Sequence, residues 1–407
     1  MSLTVIGGVY KESCAWPAHD TILGSAGRAA LCLSQLDKTL SINLHARIAQ
    51  SDETELKEIF VFNKNCSLNI EYSKATTKFD YFHPLSEPKV STSKQSSNLP
   101  VFSPLSGTVD TAVVFGMIEA IPVVNCRTAI YDPQNTYEPL LFSAMRCSAE
   151  RLAYVTNQNE LKIFHESEVG EAESIEVMAK WLFNFENAEV VVVKCGDKGA
   201  FVYSSNVQEW VLPYETQSVF PIGSGDSYVA AFAYYWVEKK LSPVIAAQKA
   251  SAAAAYYVSH KTMSTAEGLD SFSRDLNVIR KKPHSSKVYL AGPFFTLAEL
   301  WMINEAKFHI ESFGMTVFSP YHDIGIGTAD QVVDKDIEAI KQCDAVYAIF
   351  NGTDPGTLFE VGYARSIDKP VIILAENPKS EELKMFDGSG CSITNDFASS
   401  VYRLAWI

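Results

Sequence analysis

The sequence has no CxxC pair, no HExxH and no tight cluster of cysteine with histidine. Its eight cysteines (Cys14, Cys32, Cys66, Cys126, Cys147, Cys195, Cys343 and Cys391) are scattered along 407 residues. Such scatter argues against a disulfide framework or a metal site, and for reduced, buried thiols in the cytoplasm. Positive charge is also scarce: 34 Lys and Arg against 48 Asp and Glu give a formal net charge of -14. An acidic surface repels a phosphate backbone, which excludes extended nucleic-acid binding. Small phosphorylated ligands are not excluded, because loop amides and helix ends bind them locally. Apolar runs such as Tyr228–Val237 fall far short of the roughly 18 residues of a membrane span, so no membrane partner is expected. The opening MSLTVIGGVYKE lacks a basic stretch followed by an apolar one, so no secretory leader is read.

What is present is a globular composition, 47% hydrophobic and 20% charged, long enough for two domains or more. Lys281-Lys-Pro-His-Ser-Ser286 reads as a linker, because proline with small polar residues separates two periodic segments. It divides a domain over 1–283 from one over 286–407. In the second, short apolar runs at Val288–Leu290, Met315–Phe318, Ala345–Phe350 and Val371–Leu374 alternate with helix-length stretches. Those stretches are Leu297–Phe313, Ala329–Gln342 and Thr357–Ile367, and Gly314 stands where a helix C-terminal glycine is expected. The pattern predicts a parallel sheet wound with helices, with ligands at the strands' C-terminal edge. The first domain mixes a valine-rich strand, Ala188–Lys194, with helices over Ser227–Lys240 and Val244–Val258. Residues 84–107, rich in Ser, Pro and Lys, read either as a surface loop or as a flap over a site.

The segment from Asn351 to Ala364 carries the first candidate chemistry. Asp354, Pro355 and Gly356 form a turn after a buried strand, and Glu360 is placed in the first turn of the next helix. There the positive helix end favours its ionised, nucleophilic form. Paired carboxylates are what glycosyl chemistry needs, although aspartate and glutamate at a helix start also serve as plain caps. The surrounding order of motifs is more specific. Val288-Tyr-Leu-Ala-Gly-Pro-Phe-Phe295, Phe318-Ser-Pro320, Asp336, Cys343-Asp344 and the Glu360 segment together resemble the nucleoside 2-deoxyribosyltransferase family over 287–375. The resemblance implies a flavodoxin-like, doubly wound domain that needs no cofactor. It makes Glu360 the nucleophile, Asp354 a sugar ligand and Asp336 an active-site aspartate, with Asp334 as a competing alignment. Tyr289, Gly292 and Pro293 match the residues lining the base pocket. In that family a covalent glycosyl-enzyme is resolved by a second base or by water, and distant relatives hydrolyse NAD. Members often lend an Asn-Leu-Met segment to a neighbouring subunit, where this chain has Leu383-Lys-Met385-Phe386, so a homo-oligomer is expected.

The second candidate is Phe220-Pro-Ile-Gly-Ser-Gly-Asp226, a glycine loop opening a helix. Its amides and the helix end favour a developing phosphoryl charge, and Asp226 is placed to take a proton from a hydroxyl; an aspartate-capped turn is the plainer alternative. Val191-Val-Val-Lys-Cys-Gly196-Asp-Lys-Gly199, Asn157-Gln-Asn-Glu160, Tyr131-Asp-Pro-Gln134 and Leu23-Gly-Ser-Ala-Gly27-Arg-Ala-Ala30 accompany it. Together these resemble the ribokinase-like PfkB family of sugar and nucleoside kinases over most of 1–265. The resemblance implies a three-layer α/β/α domain using ATP and Mg2+. It makes Asp226 the base, Gly223, Ser224 and Gly225 the anion hole, and Asn157 and Glu160 neighbours of magnesium and phosphate. Lys194, Gly196 and Gly199 would line the nucleotide, and Gly24, Gly27 and Glu12 the acceptor. Three departures stand out: Phe220 where the family usually has Asp, Arg28 where it often has Asn, and Glu12 for a commoner Asp.

Two functions follow. One is a two-activity enzyme of nucleoside metabolism, which breaks or transfers N-glycosidic bonds and phosphorylates a sugar or nucleoside. The other is a sensor–effector protein of the defence type, whose first domain binds a nucleotide signal and whose second hydrolyses nucleotides or NAD.

Overall fold

The computed structural model describes residues 2–91, 99–280, 286–325, 327–352 and 354–407. The chain forms two compact units, one of Met1–Thr216 with Phe220–Ile279, the other of Gln217–Val219 with Arg280–Ile407. Most of the linker read over 281–286, and the boundary at 283, lie outside the described residues.

In the first unit nine strands form one sheet, in the order Val207–Val211, Ala200–Ser204, Val190–Lys194, Ser148–Asn157, Asn125–Asp132, Thr108–Phe115, Ser2–Ile6, Ser41–Ala49 and Cys66–Ser73. The seven from Val190–Lys194 onward run parallel, and the first two are antiparallel additions. Its valine-rich strand shows why three layers form. Successive side chains of a strand point to opposite faces. Val190 and Val192 join one apolar core with the helices Gly24–Leu36, Ser224–Ala233 and Pro243–His260. Val191 and Val193 join another with Gln158–Val169 and Ile175–Phe185. Helices therefore cover both faces, giving the ribokinase-like α/β/α arrangement. The helix expected over Ser227–Lys240 starts earlier, at Ser224, and passes into a π-turn over Tyr234–Glu238.

A separate four-stranded sheet, His19–Ile22, Lys11–Cys14, Lys78–Tyr81 and Lys89–Val90, supplies residues to the wall of a cavity. Part of the 84–107 stretch thus takes strand structure, with Val101–Phe102 pairing Ile121–Pro122. Residues 92–98 lie outside the described residues.

The second unit holds a five-stranded, all-parallel sheet ordered Thr316–Phe318, Lys287–Ala291, Ala345–Ile349, Val371–Leu374 and Ser392–Thr394. Tyr289, Val346 and Ile373 face a core shared with Ile340, Val361 and Ala364. On the opposite face the Tyr347 hydroxyl bonds Ser400 of the helix Phe397–Ala405 at 2.6 Å. This is a doubly wound sheet whose strand order reverses beside Lys287–Ala291, and ligands in such sheets bind at the reversal. Within the unit, Ser399 accepts from the Val219 amide at 2.8 Å and Arg403 donates to the Gln217 carbonyl at 2.6 Å. The helix expected at Thr357–Ile367 spans Pro355–Ser366, which places Glu360 in its second turn rather than its first.

Candidate active sites

Glu360 opens into a cavity of about 460 Å³ at the C-terminal edge of the smaller sheet. Strand Lys287–Ala291 carries Tyr289, whose hydroxyl donates to Glu360 Oε1 at 2.6 Å. The helix Ala329–Gln342 adds Asp336, and the turn before Pro355 adds Asp354. Asp354 does cap its helix: its Oδ2 accepts from the Thr357 amide at 2.7 Å and from the Thr357 hydroxyl at 2.8 Å. It also lines the cavity, so capping and site placement coexist. Of the two competing aspartates, Asp336 lines the cavity, whereas Asp334 is exposed and outside it.

The electrostatics correct one expectation. Glu360 is not held ionised by the helix end; its pKa is pushed up to about 8. Burial is the largest cause, and Asp336 and Asp354 add like-charge repulsion, while the Tyr289 hydroxyl works the other way. Lying a turn further from the helix start weakens the dipole, which acts mainly within the first turn. Burial also raises Asp336, with Tyr289 again opposing, and Asp336 Oδ1 meets no partner among the described residues. The walls are largely apolar and aromatic, with Phe294, Phe295, Phe359, Ile337 and Ile340 among them. Among the described residues no Lys, Arg or His lines this cavity. Gly292 lines it; Pro293 does not, and Tyr289 acts from behind Glu360.

In the first unit Asp226 sits in the opening turn of the helix Ser224–Ala233, at a cavity of about 310 Å³. Both of its oxygens are engaged. Arg28 donates to Oδ2 at 2.6 Å and Gln134 to Oδ1 at 2.7 Å. Arg28, 1% exposed, also bonds Glu12, the Gly24 carbonyl at 3.1 Å and the Tyr257 hydroxyl at 3.0 Å. Gly223 has φ +85°, and a β-carbon there would lie 2.2 Å from Arg28 Nε, so only glycine fits above the guanidinium. The Ser224 amide is spent on the Pro221 carbonyl at 3.0 Å, which leaves Gly223 and Gly225 as the loop's open donors among the described residues.

Glu12 lines this cavity, and burial raises its pKa against the pull of Arg28. Gly24 does not line it; a β-carbon there would collide with the backbone at Gly8 and Tyr10, so this glycine serves close packing. Gly27 lies within the helix Gly24–Leu36 and is likewise outside the cavity. Lys194 pairs with the fully buried Asp132 at 2.5 Å. Burial raises Asp132 above the usual carboxylate range, reinforced by Glu160 and opposed by Lys194. Asn157 and Glu160 form a reciprocal capping box on Gln158–Val169, each side chain accepting at 2.9 Å from the other's backbone amide. Gly196 and Gly199 bracket a short turn after Lys194.

Two family models match parts of the chain. Residues 288–393 match the nucleoside 2-deoxyribosyltransferase model, and 135–267 match the pfkB family carbohydrate kinase model. The chain joins a PfkB-like domain to a nucleoside 2-deoxyribosyltransferase-like domain. For the PfkB-like domain the solved structures agree in fold. A ribokinase from Thermotoga maritima matches with TM-score 0.52 at 14% identity, covering 68% of this chain and 100% of its own. A putative ribokinase II from E. coli gives TM-score 0.53 at 16% identity, covering 67% and 99%. The same protein in complex with ATP and Mg2+ gives 0.51 at 14%, covering 67% and 99%. At such identities the likeness shows the fold alone. No curated protein matches the sequence significantly.

Sequence reasoning missed Gln134, Asp132 and Tyr10 as site residues of the PfkB-like domain. Asp132 and Gln134 stand inside the Tyr131–Gln134 motif, and Arg28 is visible as a departure. Nothing in their spacing reveals that Arg28 and Asp226, 198 positions apart, form an ion pair.

Proposed function

We propose that the chain breaks the N-glycosidic bond of neutral nucleosides in its nucleoside 2-deoxyribosyltransferase-like domain, with Glu360 as nucleophile. The observation that carries this is the carboxylate cluster of Glu360, Asp336 and Asp354 opening into an aromatic cavity with no cationic lining among the described residues. A Glu360 oxygen attacks the anomeric carbon while the bond to the base breaks, and the base departs with the bonding pair. Asp336, raised in pKa, is the group to hand that base a proton. Asp354 keeps Oδ1 for a sugar hydroxyl while Oδ2 caps the helix. A second base or water then releases Glu360. The cavity offers a phosphate no cationic partner among the described residues, which disfavours nucleotides and NAD as substrates.

The PfkB-like domain binds ATP with Mg2+ and a small hydroxylic compound, a sugar or nucleoside. Asp226 is the proton acceptor of this reading, and Gly223, Gly225, Lys194, Asn157 and Glu160 border the phosphates. One observation favours a second reading, binding without turnover: Arg28 already holds Asp226. The protein works in the cytoplasm and self-associates around Leu383–Phe386, where Met385 is 81% exposed.

The test is product analysis by mass spectrometry after incubation with mixed nucleosides, nucleotides and NAD. Free base from nucleosides, lost in Glu360→Ala, is the expected result. Undiminished base release by that variant refutes the nucleophile assignment.

A further inference from the structure

We propose that Arg28 locks the PfkB-like pocket as a binding site in which Asp226 is kept from taking a proton from a bound hydroxyl compound. The inference takes up the second reading above, binding without turnover, in place of Asp226 as proton acceptor, and is independent of Glu360.

A general base needs an oxygen free to receive a proton in a plausible pose. Here one oxygen of Asp226 takes a charge-assisted bond from Arg28 at 2.6 Å and the other a bond from Gln134 at 2.7 Å. Protonating Asp226 would leave the buried guanidinium with Glu12 as its one remaining carboxylate. Breaking a buried ion pair from one side leaves an uncompensated buried charge, which is strongly unfavourable. Guanidinium does not relieve this by losing its own proton. Nor can it swing away, since Gly24, Tyr257 and the Gly223 loop enclose it on the remaining sides.

The cavity itself is retained. Its floor offers Glu12, Asp226, Gln134 and Ser25 to hydroxyl groups, while Tyr10, Phe79 and Tyr81 supply flat apolar walls. Gln134 is itself held by Ser25 at 2.8 Å and contacts Asp132 at 2.9 Å. A pocket with an ordered polar floor and aromatic walls can bind a small hydroxylic ring compound while its base is engaged elsewhere.

The experiment incubates the full chain with Mg-ATP and a panel of nucleosides, ribose and 2-deoxyribose, and follows ADP. The wild type is expected to form no more ADP with any acceptor than without, while at least one panel member raises its melting temperature. Arg28→Asn is expected to gain acceptor-dependent ADP formation at least tenfold, and adding Asp226→Asn to remove it. Should Arg28→Asn not fold, Arg28→Asn with Glu12→Gln replaces it, because one fewer carboxylate is then left unpaired. Acceptor-dependent ADP from the wild type that Asp226→Asn abolishes overturns the proposal. So does a folded Arg28 variant without gain, or a panel with no effect on melting. Base release measured on the same samples reports the Glu360 reading separately.

Discussion

Glu360 is a carboxyl group with a pKa near 8, raised from an ordinary 4.5, which sets opposing demands on stability and activity. The unfolded chain releases this proton above about pH 4.5 and the folded one holds it to about 8. Stability contributed by the protonated form is therefore complete at low pH and declines as pH rises between those values. Glu360→Gln removes the charged form, so its melting temperature is expected to exceed the wild type's by several degrees at pH 8.5 and to match it at pH 4.5. Calorimetry at the two pH values checks this. Activity runs the other way, because attack needs the carboxylate. Base release measured as kcat/KM is expected to rise with pH toward 8 as Glu360 ionises, and to fall again as Asp336 loses the proton it hands to the base. Tyr289→Phe deletes the donor that favours the carboxylate and moves the rising limb to higher pH; an unmoved limb refutes the role of Tyr289. The place of Glu360, in a helix that follows a buried strand and a turn, was legible in its motif. Its protonation was not, because Tyr289 stands 71 positions away and Asp336 on another helix.

Asp354 caps the helix Pro355–Ser366, and a substitution series separates that cap from its proposed sugar-binding role. Asparagine caps a helix about as well as aspartate, whereas alanine loses the cap at a cost of about 1 kcal/mol. Asp354→Asn is expected to melt with the wild type yet lose base release at least tenfold, and Asp354→Ala to lose both. Equal activity in wild type and Asp354→Asn sinks the sugar-ligand role. Asn157→Ala, which breaks the reciprocal box on Gln158–Val169, is expected to lower stability by about 1 kcal/mol in denaturant unfolding, with base release unchanged. Elements of this kind were readable because strand and helix periods of two and 3.6 are local properties. The valine-rich strand expected over Ala188–Lys194 forms over Val190–Lys194, with its valines buried on both faces. The start of the Glu360 helix differs from expectation because Pro355 suits a turn and a helix opening alike. Proline at a first helical position is favoured, since its missing amide has no partner to lose.

At the scale of the molecule, charge is the property that organises ligand choice. The chain carries a net charge of -14, and the Glu360 cavity has no cationic lining among the described residues to offset it locally. For a neutral nucleoside, KM is expected to stay flat between low and high salt. Nucleoside 5′-monophosphates are expected to react at least tenfold more poorly, improving as salt screens the repulsion over a Debye length of about 10 Å at 0.1 M. Steady-state kinetics across ionic strength decides this, and efficient, salt-inhibited cleavage of a nucleotide refutes it. Domain order and composition made the acidity legible from the start. What the sequence left hidden is that, among the described residues, no basic one lines this cavity, since that depends on where loops at three strand ends come to rest. The consequence reaches beyond the domain. Under the proposed function, a nucleoside that gains a phosphate becomes a poor substrate at Glu360, so cleavage would draw mainly on the uncommitted, uncharged pool. A kinase that acts first would then shelter its product from cleavage.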